Sequence, residues 1–168
     1  PLSFHSGGYA DTPIAEILPV DLPAPGTPTS RTQVEDRFRP RLRGGMERHP
    51  ILELLPDPAQ NAAAWARLAP LNGANVVRRV RPEGTTLLEH PSHRTEGGEP
   101  LPVLVLGTAG QGRTLALTTD TTWRWGITTG GQTGDPSAYE RFWDRAVRWL
   151  ARDPTLEPAR VDTDRERY

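Results

Sequence analysis

The feature that most restricts the fold is an amphipathic helix predicted near the end of the chain, in the sequence DPSAYERFWDRAVRWLARDP. Asp135 is a typical helix N-cap, Pro136 suits the first helical position, and Asp153 before a proline marks the end. Apolar residues recur with helical spacing and form a broad stripe: Tyr139, Phe142, Trp143, Ala146, Val147, Trp149 and Leu150. Such a helix must pack on another element, and we expect that element to be a sheet.

The sequence before this helix has the composition and period of β-strands. PVLVLG contains a continuous apolar run, which predicts a strand buried on both faces over Val103–Gly107. A glycine-rich link leads to a second run, Arg113–Thr118, so the pair predicts an antiparallel β-hairpin. Two further strand-like runs, Asn75–Arg81 and Thr85–His90, are separated by Pro-Glu-Gly.

The first half of the chain offers fewer regular elements. TPIAEILPV predicts one helical turn capped by Thr12, and DPAQNAAAWARLAPL predicts a short helix capped by Asp57, with Ala62, Trp65 and Leu68 on one face. DLPAPGTPTSRTQ predicts an irregular surface excursion, and ARVDTD a last short strand. A parallel α/β sheet needs strand–helix–strand units of about 30 residues or more, and this half of the sequence does not contain them.

Length and charge restrict the function classes. A chain of 168 residues fits a single domain, 1–168, and a net charge of -1 gives no global attraction to nucleic acid. The sequence has no cysteine, which excludes a thiol nucleophile and cysteine–zinc sites. It also lacks a run of 18 apolar residues, so we expect no direct membrane insertion by this segment.

Four stretches occur together in this sequence: SFHSGGYADTPIAEILPV, HPILELL, GQGRTLALTTDTTWRWG, and FWDRAVRWLARDP followed at the end by DRERY. In combination they resemble the class I glutamine amidotransferase-like domain of large bacterial membrane-anchored proteins, which often also carry a von Willebrand factor A-type domain. The resemblance runs from Ser3 to Tyr168. It implies an α/β, flavodoxin-like three-layer sandwich, here its C-terminal portion, with an antiparallel β-hairpin and a long C-terminal helix but without the N-terminal strands.

The same resemblance implies what the domain does and where it works. Class I amidotransferases use a cysteine activated by a histidine, whereas this sequence has no cysteine and no His-x-Glu after the hairpin. We therefore expect a non-catalytic domain, without a cofactor, that serves binding or scaffolding in a larger bacterial envelope-associated protein. Its expected partners are the remainder of its own parent chain and a small-molecule or protein ligand. The parent would place it outside the cytoplasm or at the membrane.

The alternative is a hydrolase or amidotransferase-type enzyme that does not use cysteine. Its candidate catalytic residues are Ser3, His5, His49 and Asp120. Such an enzyme also needs a fixed nucleophile turn and an oxyanion hole. In the competing interpretation, Ser3 and the adjacent glycines only shape the opening loop.

Two segments are candidates for ligand binding. The resemblance implies that Gly7, Gly8 and Tyr9 belong to a loop at the carboxyl edge of the sheet, where open α/β folds bind ligands.

The second segment is DTTWRWG. Trp123 and Trp125 alternate about Arg124 as if on an extended strand, and could form an aromatic wall with Asp120 as a polar contact. We favour the interpretation that both tryptophans close the core beneath the last helix, with Asp120 as the best polar site candidate.

His90 and His93, in HPSH, have a spacing that occurs at metal sites. Two ligands without a third are a weak signal, so we predict exposed loop histidines and no metal. GTAGQGR lacks the lysine of a phosphate-binding loop and predicts a hairpin turn, with Arg113 anchoring that turn or pairing with a carboxylate.

Overall fold

The computed structural model describes Phe4, residues 7–133 and residues 137–156. The α-helices, numbered here in chain order, are α1 (Pro13–Ile17), α2 (Thr29–Thr32), α3 (Pro58–Arg67), α4 (Trp123–Thr133) and α5 (Ser137–Leu150). The strands are β1 (Val20–Asp21), β2 (Gln33–Phe38), β3 (Arg41–Leu42), β4 (Leu71–Asn75), β5 (Arg79–Val80), β6 (Thr85–Arg94), β7 (Pro100–Ala109) and β8 (Gly112–Leu117). Short 3₁₀ turns occupy Tyr9–Asp11, Pro50–Leu52 and Pro154–Leu156.

The described strands form three antiparallel sheets. Strand β1 pairs with β5, β2 pairs with β4, and the largest sheet has the order β3-β6-β7-β8. The predicted hairpin is confirmed: β7 and β8 pair from Leu104 opposite Leu117 to Ala109 opposite Gly112. Gly110, in the turn between them, has a φ of 57°, a left-handed conformation that favours glycine. The mixed α/β class is thereby confirmed.

Strand β7 is the centre of the core. Every residue from Leu101 to Gly107 is buried, so the prediction of a strand covered on both faces is confirmed. Each fully buried valine or leucine in such a strand contributes about 1.5–3 kcal/mol of transfer free energy. Gly107 is required by packing, because a Cβ there would lie 2.6 Å from Cβ of Pro19.

Helix α3 begins as predicted. Asp57 accepts a hydrogen bond from the backbone N–H of Gln60 at 2.8 Å and caps the helix. The predicted face is wrong at Ala62, which is exposed, whereas the neighbouring Asn61 is buried. Asn61 is drawn inward because its side chain accepts from the N–H of Leu54 at 2.8 Å and donates to the carbonyl of Leu52 at 3.0 Å.

The long C-terminal helix is confirmed as α5, although its predicted cap, Asp135 with Pro136, lies outside the described residues. Its buried stripe is narrower than predicted. Phe142 and Ala146 are fully buried, while Val147 is 59% exposed and Leu150 37% exposed. Only one side of α5 is therefore covered by the described part of the chain.

The segment around Arg124 is not extended, contrary to the prediction. Trp123 opens helix α4, and the two tryptophans therefore point in different directions, about 200° apart around the axis. Trp125 is fully buried, with its ring 5.5 Å from that of Trp65 and 5.2 Å from that of Phe142. Trp123 is 46% exposed, so the expectation that both rings close the core is wrong for Trp123.

The N-terminal half agrees with the sequence in part. Helix α1 begins at Pro13, but the hydroxyl of Thr12 donates to the carbonyl of Tyr9 at 2.8 Å and does not cap the helix. The predicted strand Asn75–Arg81 is wrong in position, because β4 ends at Asn75 and β5 covers two residues. The proline-rich excursion contains the last residue of β1 and the whole of α2. The predicted strand in ARVDTD lies outside the described residues.

Of the two predicted roles of Arg113, anchoring the hairpin or pairing with a carboxylate, the structure shows the first. Its guanidinium donates to the carbonyl of Trp149 at 2.9 Å and lies 4.9 Å from the centre of that ring, which ties β8 to the end of α5. Among the described helices, none combines the length and apolar character that crossing a membrane requires.

Candidate functional site

A cleft of about 900 Å³ opens between β2, the loop before it and the end of β6. We call it the β2–β6 cleft. Residues that line it include Arg31, Asp36, Val76, Arg78, His93 and Thr95. Its wall thus combines charges of both signs with apolar side chains, a composition found in small-molecule sites.

A β-bulge in β2 forms one wall of the cleft. Val34 lies opposite Ala74 and Arg37 opposite Asn72, so β2 advances three residues where β4 advances two. The extra residue falls at Glu35–Asp36, and a bulge of this kind re-aims side chains. Glu35 and Asp36 consequently both line the cleft, although neighbouring residues in a regular strand point to opposite faces.

A larger irregularity in β6 forms the facing wall. Between the pairs Glu89–Pro102 and Arg94–Pro100, β6 advances five residues while β7 advances two. The segment that bulges out contains Pro91, which has no N–H to give to the ladder. The prediction of loop histidines is therefore wrong, because His90 and His93 lie within β6.

The imidazole of His90 accepts hydrogen bonds from the backbone of this bulge. Its Nδ1 accepts from the backbone N–H of His93 at 3.1 Å and from that of Ser92 at 3.3 Å. These are the N–H groups that the interrupted ladder leaves without a strand partner. His90 is 2% exposed and its ring lies 4.0 Å from that of Phe38, so the predicted exposure is wrong for this residue.

Burial keeps His90 neutral. Its pKa is lowered to about 4, chiefly by desolvation; the carboxylate of Asp36 acts in the opposite direction, and the neighbouring His93 contributes to the lowering. Because Nδ1 accepts two hydrogen bonds, the proton of the neutral ring lies on Nε2. That Nε2 is buried, has no hydrogen-bond partner among the described atoms and points to Asp36, 3.6 Å away.

Asp36 joins the two histidines. Its Oδ1 is 3.2 Å from Nε2 of His93 and 3.6 Å from Nε2 of His90. One ligand atom from each of the three side chains lies within 4.8 Å of the others. We call this group the Asp36–His90–His93 cluster. Imidazole nitrogen and carboxylate oxygen are typical ligands of Zn²⁺ and related ions.

A catalytic relay of the Ser–His–Asp type is not formed by these residues. Ser92 Oγ lies 3.5 Å from Nδ1 of His90, and Asp36 lies on the other side of the ring. A general base must have a lone pair free for the proton of the nucleophile. Nδ1 of His90 already uses its lone pair for two backbone N–H groups, so it cannot activate Ser92.

Thr95, which lines the cleft, carries a buried polar group without a described partner. It is 6% exposed, and its Oγ1 is buried without a hydrogen-bond partner among the described atoms. An unpaired buried hydroxyl costs about 1–3 kcal/mol. Native proteins keep such groups mainly where a ligand, water or function uses them.

The predicted opening loop is described from Gly7 onward, and Ser3 and His5 lie outside the described residues. Gly7 is exposed, and Gly8 has a φ of 63° and precedes the 3₁₀ turn that begins at Tyr9. Gly8 borders a small depression of about 200 Å³. None of the described contacts joins this loop to Trp123 or Arg124.

The second predicted ligand segment has a structural role in part. Arg124 Nε donates to the carbonyl of Pro70 at 2.9 Å, and its guanidinium lies 5.7 Å from the Trp123 ring. Asp120 is exposed. This segment remains a candidate contact surface, without the enclosed shape of the β2–β6 cleft.

His49 lies elsewhere. Its Nδ1 accepts from the N–H of Ile51 at 3.3 Å, and its ring is 6.1 Å from that of Trp149. Burial lowers the pKa of His49, and the positive charge of Arg113 lowers it further. Within the described part of the chain, no contact brings His49 to Asp120.

The sequence analysis missed Asp36 and Thr95. Asp36 is 54 residues before His90, and nothing local distinguishes it from Glu35 beside it. The signal that could have led to the site was the proline inside a strand-like run that continues past His90, because proline within a strand marks an edge or a bulge.

Neither a family model nor a curated protein matches the sequence. A solved structure of a cytoplasmic protein from Salmonella typhimurium LT2 is similar to this chain, with a TM-score of 0.56 and 22% sequence identity. The match covers 84% of this chain and 47% of that protein, so the chain spans about half of its length. At this identity the similarity concerns the fold alone.

Proposed function

We propose that this chain is a non-catalytic binding domain whose ligand occupies the β2–β6 cleft. The observation that carries the proposal is the convergence of Asp36, His93 and Thr95, whose buried hydroxyl has no described partner, on the lining of one cleft between two bulged strands. Irregular strands and unpaired polar groups cost stability, and they are expected where a site needs them.

The lining indicates a small polar ligand with an apolar part. Carboxylates are supplied by Glu35, Asp36 and Glu96, and guanidinium groups by Arg31, Arg78 and Arg94. The ion pair between Arg31 and Glu96 is long, at 3.9 Å, and both side chains are 71% exposed, so it costs little to open. Both charges are therefore available to a ligand with hydrogen-bonding groups.

The apolar part of such a ligand would lie on the rest of the lining. The half-buried Val34 and Val76 line the cleft, which the fully buried Val77 and Leu101 also border. A pocket with an apolar base and a few polar groups orients a molecule by hydrogen bonds and retains it by burial.

The alternative of an enzyme has less support. Of its four candidate residues, His49 is held between Ile51 and Trp149, and Asp120 is exposed without a described contact to it. A catalytic base must be within hydrogen-bond reach of its nucleophile, about 2.6–3.2 Å. The sequence also contains no cysteine, and Ser92 cannot be activated by His90.

We further propose that the domain is amidotransferase-like in type and works within a larger bacterial envelope-associated protein. The sequence resemblance supports this, as does the presence of exposed apolar side chains on three helices. Ile14 and Ile17 of α1, Ile127 of α4 and Val147 of α5 are 45–73% exposed. Such residues are suited to packing against the remainder of the parent chain.

The binding proposal is tested by NMR with a fragment library and the ¹⁵N-labelled chain. We expect bound fragments to shift amide signals of Val34–Asp36, Val76–Arg78 and Arg94–Thr95. The variant Ala24→Trp places a large ring in the cleft wall and should weaken binding at least tenfold.

The matched control is Ala63→Trp, on the exposed face of α3, which should leave binding unchanged. Fragments that bind Ala24→Trp as well as the original chain, or that shift only the Trp123–Arg124 segment, would overturn the assignment.

A further inference from the structure

We propose that Asp36 and His93 form the protein side of a divalent transition-metal site that opens into the β2–β6 cleft, and that His90 is the positioning residue of this site. The inference rests on the proposed function only in that a bound ion would lie in the same cleft. Binding of the ion can be measured without a small molecule in the cleft.

The distance between the two proposed ligand atoms suits one ion. Asp36 Oδ1 and His93 Nε2 are 3.2 Å apart. Two ligands at bond lengths of about 2.0–2.2 Å in a tetrahedral site are separated by about 3.3–3.6 Å. An ion could therefore replace the proton between these atoms with little movement of either side chain.

The hydrogen bonds distinguish the two histidines. No described hydrogen bond occupies Nδ1 of His93, so this atom can carry the ring proton while Nε2 binds the ion. Nδ1 of His90 accepts the N–H groups of Ser92 and His93 and cannot carry a proton at the same time. His90 must therefore keep its proton on Nε2, which excludes that atom as a metal ligand.

His90 instead holds the two ligands in place. Its buried Nε2–H points at the carboxylate of Asp36, and its Nδ1 fixes the backbone of His93. Carboxylate ligands in metal sites commonly accept a hydrogen bond from an outer residue of this kind. The unpaired Nε2–H would gain a full hydrogen bond from a small rotation of Asp36 when the ion binds.

The remaining coordination positions face the cleft. The side chains of Asp36 and His93 are 45% and 43% exposed, so water or a ligand donor atom can complete the sphere. A nitrogen and an oxygen ligand favour Zn²⁺, Co²⁺ or Ni²⁺ over Mg²⁺ and Ca²⁺, which take oxygen ligands.

The test uses ZnCl₂ and CoCl₂ added singly to the full chain, with MgCl₂ for comparison. We expect zinc to raise the melting temperature and cobalt to develop visible absorption, both absent with magnesium. Asp36→Asn and His93→Gln should each weaken binding at least tenfold by calorimetry. His49→Gln should bind as the original chain does.

The role of His90 is tested without a variant, because removing its imidazole would leave the backbone N–H groups of Ser92 and His93 without their acceptor. A ¹H–¹⁵N spectrum of the imidazole rings with saturating zinc should show His90 still protonated at Nε2 and His93 bound through Nε2. Loss of the Nε2 proton of His90 would overturn its positioning role. Unchanged zinc affinity in both Asp36→Asn and His93→Gln, or no zinc binding, would overturn the site.

These outcomes are separable from those of the fragment screen. Fragments that bind the cleft in the presence of a chelator support the proposed function whether or not zinc binds. Zinc that binds a chain in which no fragment occupies the cleft supports the metal site alone.

Discussion

Thr95→Val is expected to stabilise the protein, against the usual effect of a buried substitution. The Thr95 side chain is 6% exposed and its hydroxyl has no described partner, whereas its backbone is paired with Glu99 at 2.8 Å and Gly98 at 3.0 Å. Valine keeps the shape and removes the hydroxyl. Since an unpaired buried hydroxyl costs about 1–3 kcal/mol, we expect the free energy of unfolding to rise by about 1 kcal/mol.

Thr118→Val is the matched control, with the opposite sign. Thr118 is fully buried and its hydroxyl donates to the carbonyl of Pro102 at 3.0 Å. The same substitution there removes a satisfied hydrogen bond and leaves a buried carbonyl with one bond fewer. We expect a loss of about 1–2 kcal/mol.

Both values can be measured by urea unfolding at pH 7, followed by fluorescence of the buried tryptophans Trp65 and Trp125. In a domain of this size 1 kcal/mol corresponds to a melting-temperature change of about 2–4 °C, so calorimetry can resolve the two signs. If Thr95→Val destabilises as much as Thr118→Val, the Thr95 hydroxyl is satisfied by a bound water. The reasoning that the cleft holds an unpaired group would then be refuted.

Two further substitutions test the packing around β1. Asp21→Asn should lower the unfolding free energy by about 1–2 kcal/mol at pH 7. The hydrogen bond from Arg79 lowers the pKa of Asp21 below 3.8, so the difference in stability between the two proteins should persist above about pH 4 and vanish as the pH falls through the folded-state pKa. A stability difference that grew with acid would contradict this. Gly107→Ala should cost about 1–3 kcal/mol in urea unfolding because its Cβ would lie 2.6 Å from Pro19, while Gly44→Ala, which meets nothing within 4 Å, should stay within about 0.5 kcal/mol.

Elements whose evidence is local could be predicted from the sequence. An unbroken apolar run is sufficient to predict β7, and the glycine-rich link to β8 is sufficient to predict the hairpin. Asp57 caps α3 because a cap needs only its own side chain and an N–H three residues away. Helix α5 could likewise be predicted, because the helical spacing of its apolar residues lies within its own sequence.

Where the prediction failed, packing between distant elements decided the outcome. TWRWG alternates as a strand would, yet it forms the start of α4, because Trp125 gains a place between Trp65 and Phe142. Asn61 lies inside and Ala62 outside, because the amide of Asn61 accepts from the backbone N–H groups of Leu54 and Leu55. Propensity and period do not include these partners.

The β2–β6 cleft also depends on packing between distant elements. The sequence by itself determined that HPSH contains two histidines at a spacing compatible with a metal, and nothing more about them. Only the tertiary structure brought Asp36 to His93 across 57 residues. The reason is that two β-bulges set the register there. A bulge depends on how both strands of a pair are aligned, and the sequence of one strand alone does not show this alignment.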